Sequence, residues 1–201
     1  MKNAVSQKNT RDAILDATDR LLTRNGYKKM TIDDLAQEVG IGKGSIYLHF
    51  ESKEEIALSH IDRIIERLKK NLRAIAEKPS VADERLREML IERVLFRFDS
   101  VQHYTQSLND LLSVLRPKLL IRRERYFMEE ARIFAKVIAE GQDNGRFVSG
   151  DAFDIAQTLL SATNSLLPYS LSAVELGERK ELTERVEKIA DIIIRGLKVE
   201  K

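Results

Sequence analysis

Cysteine and tryptophan are absent from the 201 residues, and only three prolines and nine glycines occur. Lack of cysteine excludes disulfides, thiolate metal sites and cysteine nucleophiles, and fits a reducing compartment. The shortage of proline and glycine leaves few interruptions in a chain rich in Leu, Ile, Ala, Glu, Lys and Arg, the residues that helices favour. Long apolar runs are missing too. No window approaches the roughly 18 uninterrupted apolar residues of a membrane span, and the first residues, MKNAVSQKNTRDAIL, lack the apolar segment of a signal peptide. Strand-like alternation is missing over any useful length. The expectation is an all-α, soluble, cytoplasmic protein without a membrane partner, long enough to bury a proper core.

Strong charge of one sign is also lacking: the formal net charge is +2. Its placement says more than its size. Through Lys53 there are nine basic against seven acidic residues, which is the whole excess, and the remainder of the chain is balanced. Scatter explains this as well as a basic head does.

Apolar periodicity and capping residues place about nine helices. Ile14, Leu15, Leu21 and Leu22 mark one face of a first helix ending at Gly26. Thr31 is placed to N-cap a short second helix, with Asp33 and Asp34 at its positive end and Gly40 at its left-handed C-terminal turn. A third runs from about Lys43 to His49. Ser52 and Glu55 form the S-x-x-E box that starts a fourth, long helix reaching towards Pro79. Further helices are expected over about 81–101, 104–115 with a stop at Pro117, 118–140, 150–174 and 181–199.

The last two helices each carry an apolar seam. Phe153, Ala156, Leu160, Thr163 and Leu167 on one, and Leu182, Val186, Ile189, Ile193 and Gly196 on the other, follow the 3-4 spacing of left-handed helix packing. A homodimeric four-helix bundle would use those residues for dimerisation; packing within one chain would use them equally well.

The stretch GIGKGSIYLHF concentrates three glycines in five residues. A phosphate loop would need G-x-x-x-x-G-K-[ST] after a buried strand, and neither the spacing nor the strand is present. A helix-turn-helix needs a small residue where two short helices touch, a residue tolerant of positive φ at the turn and apolar residues facing inward. Ala36, Gly40 and the set Leu35, Val39, Ile41 and Ile46 supply these. The third helix then has the composition of a DNA reader. Gly42 and Gly44 clear space for base edges and phosphates, Lys43 and Ser45 offer a cation and a hydroxyl, and Tyr47 and His49 offer phosphate partners one turn on. A purely structural turn is the competing interpretation.

The segment TIDDLAQEVGIGKGSIYLHFESKEEI resembles the DNA-binding domain of TetR/AcrR-type transcriptional regulators. Thr31, Ala36, Gly40, Gly44, Ser45, Ile46, Tyr47, His49, Phe50, Ser52 and Lys53 meet that family's motif, which commonly has serine or another small residue where this chain has Lys43. The resemblance covers about a quarter of the chain. It implies a DNA-binding domain over 1–53 and a helical ligand-binding and dimerisation domain over 54–201. It further implies that Thr31, Tyr47 and His49 hold phosphates, that the small residues of the third helix read bases, and that Lys53 grips the backbone. The partners it implies are double-stranded DNA bearing a palindromic operator, a second copy of the chain and a small-molecule effector, with repression the commoner outcome.

For a lipophilic effector the central helices offer Phe96, Ser100, Tyr104, Leu108, Leu111, Leu112, Tyr126, Phe127 and Asn164, each of which is also ordinary core. Arg116, Lys118, Arg122, Arg123 and Arg125 would suit an acidic acyl-type effector or simply a solvated helix start. The rival classes are a helical protein-binding adaptor and an enzyme. His49, His60 and His103 show no metal-ligand spacing, and no catalytic motif occurs, so no catalytic residue, metal or cofactor is assigned.

Overall fold

The structure, a computed structural model, describes residues 2–102, 108–168 and 177–199. Eight α-helices carry them: α1 (Lys2–Lys29), α2 (Ile32–Val39), α3 (Lys43–Tyr47), α4 (Lys53–Ala76), α5 (Ala82–Val101), α6 (Leu108–Asp143), α7 (Ala152–Thr163) and α8 (Arg179–Leu197). Among the described residues the extended pairing is a single antiparallel bridge between Phe147 and Lys198. The chain divides into two compact units. One takes residues up to Ile64 and the start of α6 through Leu119, and the other takes Ile65–Gln102 and the chain from Leu120 onward. The boundary expected after Lys53 therefore falls at the first residue of α4, a helix that contributes to both units.

The differences from the expected helices have local causes. Pro117 does not stop a helix. It removes its own N–H and therefore one rung of the ladder, and α6 continues through it, with Leu111 and Leu115 buried one turn apart on its inner face. Two expected helices become one, and the described residues carry eight α-helices. The helix expected over 150–174 ends at Thr163 and passes through a 3-10 turn, Asn164–Leu166, to an extended Leu167 (φ −94°, ψ 147°), and residues 169–174 of that expectation lie outside the described residues. The residue before a proline avoids the α region, and residue 168 is proline. Gly26 (φ 73°, ψ 166°) interrupts α1 as its position suggests, although helix resumes for one turn beyond it.

In the first unit, Ile14, Leu15, Leu21 and Leu22 of α1 are buried with Leu35, Ile46, Phe50, Ile56 and Leu58, each under 4% exposed. Polar ties fix α1 to α4: Arg63 pairs with Asp16 at 2.7 Å, and Arg11 donates to the Ser59 hydroxyl at 3.2 Å.

The core of the second unit runs through Leu68 and Leu72 of α4, Leu86, Met89 and Leu90 of α5, Phe134 and Val137 of α6, Leu160 of α7 and Ala190 of α8. Inside it lies an ionic cluster. Arg93 donates to Glu130 at 2.9 Å, to Thr163 Oγ1 at 2.7 Å, to Asn164 Oδ1 at 2.8 Å and to the Leu160 carbonyl at 3.2 Å, and Arg97 donates to the other Glu130 oxygen. The side chains of Arg93 and Glu130 are each 1% exposed. Arg93 thus supplies donors to the carbonyl end of α7, where helix carbonyls lack intrahelical partners. Burial pushes the Glu130 carboxyl up, but Arg97 and Arg93 outweigh burial and hold it below the usual carboxylate range.

Removing one partner of such a cluster leaves a buried charge uncompensated, so Glu130→Ala should lower unfolding stability by about 3–5 kcal/mol. A depressed folded pKa contributes stability that is present above the unfolded carboxylate value, about pH 4, and lost as pH falls through the folded one. Urea titrations of wild type and Glu130→Ala from pH 7 downward should therefore converge in acid; a constant difference at every pH would contradict the pairing.

Candidate nucleic-acid interface

The second and third helices are too short to persist alone, so their termini and buried faces hold them in place. Thr31 Oγ1 accepts from the Asp34 N–H at 3.1 Å while the Asp34 carboxylate accepts from the Thr31 N–H at 2.9 Å, which satisfies two orphan donors of α2 at once. At the other end Gly40 (φ 75°, ψ 34°) adopts the left-handed conformation that glycine takes without strain, and its N–H and that of Ile41 both return to the Ala36 carbonyl. The chain reverses there into α3. Leu35, Ala36 and Ile46 are buried on the facing sides of the two helices. This is the steep helix-turn-helix expected from the sequence.

Because Ile46 and Phe50 face inward, the residues on the other side of α3 face solvent. Lys43, Gly44, Tyr47 and Leu48 form that outer stripe; Ser45 and His49 are half-buried at its edges, and Gly42 caps the helix without a side chain. Tyr47 is half exposed. Gly42 has a negative φ (−71°), and a Cβ built at Gly42 or Gly44 would meet nothing within 4 Å. The fold therefore needs glycine at neither position, and glycine inside a helix is unfavourable. What the two residues provide is clearance on the outside.

Two cations behave differently from each other. Lys43 reaches back to Asp33 at 2.9 Å, a hydrogen bond that raises its pKa; the pair is exposed and contributes little, so the ammonium is readily redirected. Lys53, expected at the phosphate backbone, is instead committed within the protein. Its ammonium donates to the Tyr27 and Met30 carbonyls, both at 3.0 Å, and lies 4.5 Å from the centroid of the Tyr27 ring. It closes the carbonyl end of α1 from the first residue of α4. Nothing in the local sequence around Lys53 signals this, because the carbonyls that take it are 23 and 26 residues away.

The regulatory residues are distributed as follows. Of the effector candidates, Tyr104 and the Leu108 side chain lie outside the described residues. Leu111 and Leu112 belong to the first unit, and Phe96, Ser100, Tyr126, Phe127 and Asn164 belong to the second. Phe96 and Phe127 pack against the second unit's core, Ser100 donates to the Phe96 carbonyl, and Asn164 accepts from Arg93. A polar cleft of about 360 Å³ near Pro79, Arg85, Glu140 and Arg146 contains none of them.

The dimerisation seam requires correction. Ala156, Leu160, Thr163, Leu167, Leu182 and Val186 are fully buried inside the single chain, Phe153, Ile189 and Ile193 are partly so, and of the ten only Gly196 is exposed. A 3-4 apolar spacing marks a buried face without saying which helix buries it, and here α5 and neighbouring helices of the same chain do so.

Residues 14–59 match the family model described as bacterial regulatory proteins, tetR family. The match covers the helix-turn-helix end of the chain, from α1 to the first turns of α4. It is similar to an uncharacterized HTH-type transcriptional regulator in the lacX 3' region of Lactococcus lactis, 36% identical over 84 residues, which is 41% of this chain and 43% of that one. The aligned part thus spans less than half the length of that relative. It is also similar to the HTH-type transcriptional repressor DhaR of a Mycobacterium species, 25% identical over 157 residues, 76% of this chain and 77% of that one. Among solved structures, a transcriptional regulator from Cytophaga hutchinsonii shares the fold, with a TM-score of 0.77, 22% identity and coverage of 94% of this chain and 98% of that one. All three of these relatives are named as transcriptional regulators or repressors. No described helix is long and apolar enough to cross a membrane.

Lys53→Met, which keeps the stem and removes the ammonium, should lower unfolding stability by about 1–2 kcal/mol. It should leave the slope of log affinity for DNA against log salt unchanged. A lysine that displaces counterions at a phosphate would reduce that slope by about 0.9, so a fall of that size would place Lys53 on the DNA.

Proposed function

We propose that this chain is a TetR-type repressor that holds a palindromic operator as a homodimer and releases it when a small lipophilic or acyl-type effector binds. The outer stripe of α3 carries this reading, since Gly44 on it and Gly42 at the helix start are unnecessary to the fold and leave room for something outside it. In the proposed complex α3 lies in the major groove. Lys43 turns from Asp33 to a base edge or phosphate, Ser45 and the backbone beside Gly42 and Gly44 approach the bases, and Thr31, Tyr47 and His49 bond phosphate oxygens. Thr31 Oγ1, already an acceptor, keeps its own proton to donate. Twin copies place two such helices about 34–36 Å apart, one turn of the duplex.

Exposed rather than seam residues support the dimer. Ile192 of α8 is 70% exposed, Gly196 one turn later has open space above it, and Ser161 and Ala162 of α7 are exposed and small. An exposed apolar side chain and small exposed residues on the two helices suit the close helix approach of a two-fold interface. For the effector, Phe96, Tyr126 and Phe127 offer apolar walls with Ser100 and Asn164 as polar anchors in the second unit.

Selection from a pool of random duplexes should return a palindromic site. On it, Tyr47→Phe should weaken binding about tenfold through loss of one bond to a charged oxygen, leaving the salt slope intact because no charge is removed. If wild type retains no duplex at low ionic strength, the regulator reading fails. In sedimentation at micromolar concentration, wild type should run at twice 23.0 kDa and Ile192→Lys as a 23.0 kDa species; a dimer unaffected by Ile192→Lys would place the interface elsewhere.

A further inference from the structure

The outer stripe of α3 ends in a residue that phosphate chemistry does not explain. Leu48 is 84% exposed, more than any other large apolar side chain among the described residues. Its backbone is still helical (φ −70°, ψ −20°), and its N–H bonds the Gly44 carbonyl at 3.3 Å, so it stands one turn beyond Gly44 on the same face. Since Gly44 carries no side chain and no other part of the protein approaches within 4 Å of where one would be, the approach to Leu48 is clear along that face. Tyr47 beside it is half exposed, and the inward positions, Ile46 and Phe50, are filled. The leucine therefore contributes almost nothing to the core.

A duplex groove occupied by α3 would strip water from Leu48. Most of what the major groove presents there is polar: N7, O6 and O4 acceptors and the N4 and N6 amino donors. A hydrocarbon set against any of these displaces water and offers no hydrogen bond in return. The exception is the C5-methyl group of a pyrimidine, the one apolar surface on the groove floor. Resting on the DNA-binding reading above, we propose that Leu48 is a specificity-determining residue that seats one thymine C5-methyl group in each half of the operator. The glycine below it gives the base edge room to approach. The operator would then carry an A·T pair at a fixed place in each half-site, chosen by apolar contact and independent of Lys43.

The full-length protein and a site selected from random duplexes test this, with each thymine replaced in turn by deoxyuridine, which differs only by that methyl. One thymine per half-site should weaken wild-type binding about fourfold when demethylated, the transfer value of a single buried methyl. Leu48→Ala should bind the thymine and uracil sites alike, and Leu48→Gln should shift the preferred base at that pair alone. Circular dichroism should show both variants folded, as expected for so exposed a side chain. In wild type, 5-methylcytosine at the same place should outbind cytosine but not thymine; a preference for 5-methylcytosine over thymine would overturn the assignment to thymine. Equal sensitivity to demethylation in wild type and Leu48→Ala, or none in wild type, would overturn the Leu48 proposal while leaving DNA binding intact. A wild type that selects no duplex would overturn both.

Discussion

A five-residue helix has too few internal hydrogen bonds to offset the ordering of its own backbone. That limit governs the helix-turn-helix end of this protein. Helix α3 exists because Ile46 and Phe50 anchor one side of it in a core shared with α1, α2 and α4, and because Gly40 turns the chain tightly enough to lay it across α2. Anchoring one side leaves the opposite side to solvent. The outer stripe of Lys43, Gly44, Tyr47 and Leu48 is therefore selected by the same burial that keeps the helix formed, and a change that loosens Ile46 would disturb that stripe without touching it.

The second unit solves a different problem. Its core draws apolar side chains from α4, α5, α6, α7 and α8, and a greasy core of that kind accepts many packings. The buried Arg93, Glu130 and Arg97 restrict the choice, since each guanidinium and each carboxylate oxygen must find its partner at once. The cluster joins α5, α6 and the end of α7, the three elements that carry the second unit's effector candidates. A molecule that moved any of them would meet the cost of separating charges out of water, which makes the arrangement either fully made or broken.

Local sequence was a reliable guide wherever the cause of a structure is local. The Thr31 cap, the Ser52 hydroxyl on the Glu55 N–H, the left-handed Gly40 and the alternation of buried and open positions along α3 all follow from residues within a turn of one another. Pro168 is a local cause too, yet the expected helix over 150–174 ran through it, whereas Leu167 is extended. Pro117 shows the limit: a proline costs one rung, and whether a helix stops or continues depends on what the flanking turns bury.

By itself, then, the sequence determined the helical class, the helix-turn-helix and the identity of the residues that α3 turns outward, because 3.6-residue periodicity, capping chemistry and glycine stereochemistry operate over a few residues. Only the tertiary structure decided that Lys53 belongs to the carbonyl end of α1, that the seams of α7 and α8 are closed within one chain, and that Arg93 and Arg97 share a buried carboxylate 33 to 37 residues away. Each of those is a question of which distant group arrives beside a charge or an apolar face, and spacing along the chain holds no record of that arrival.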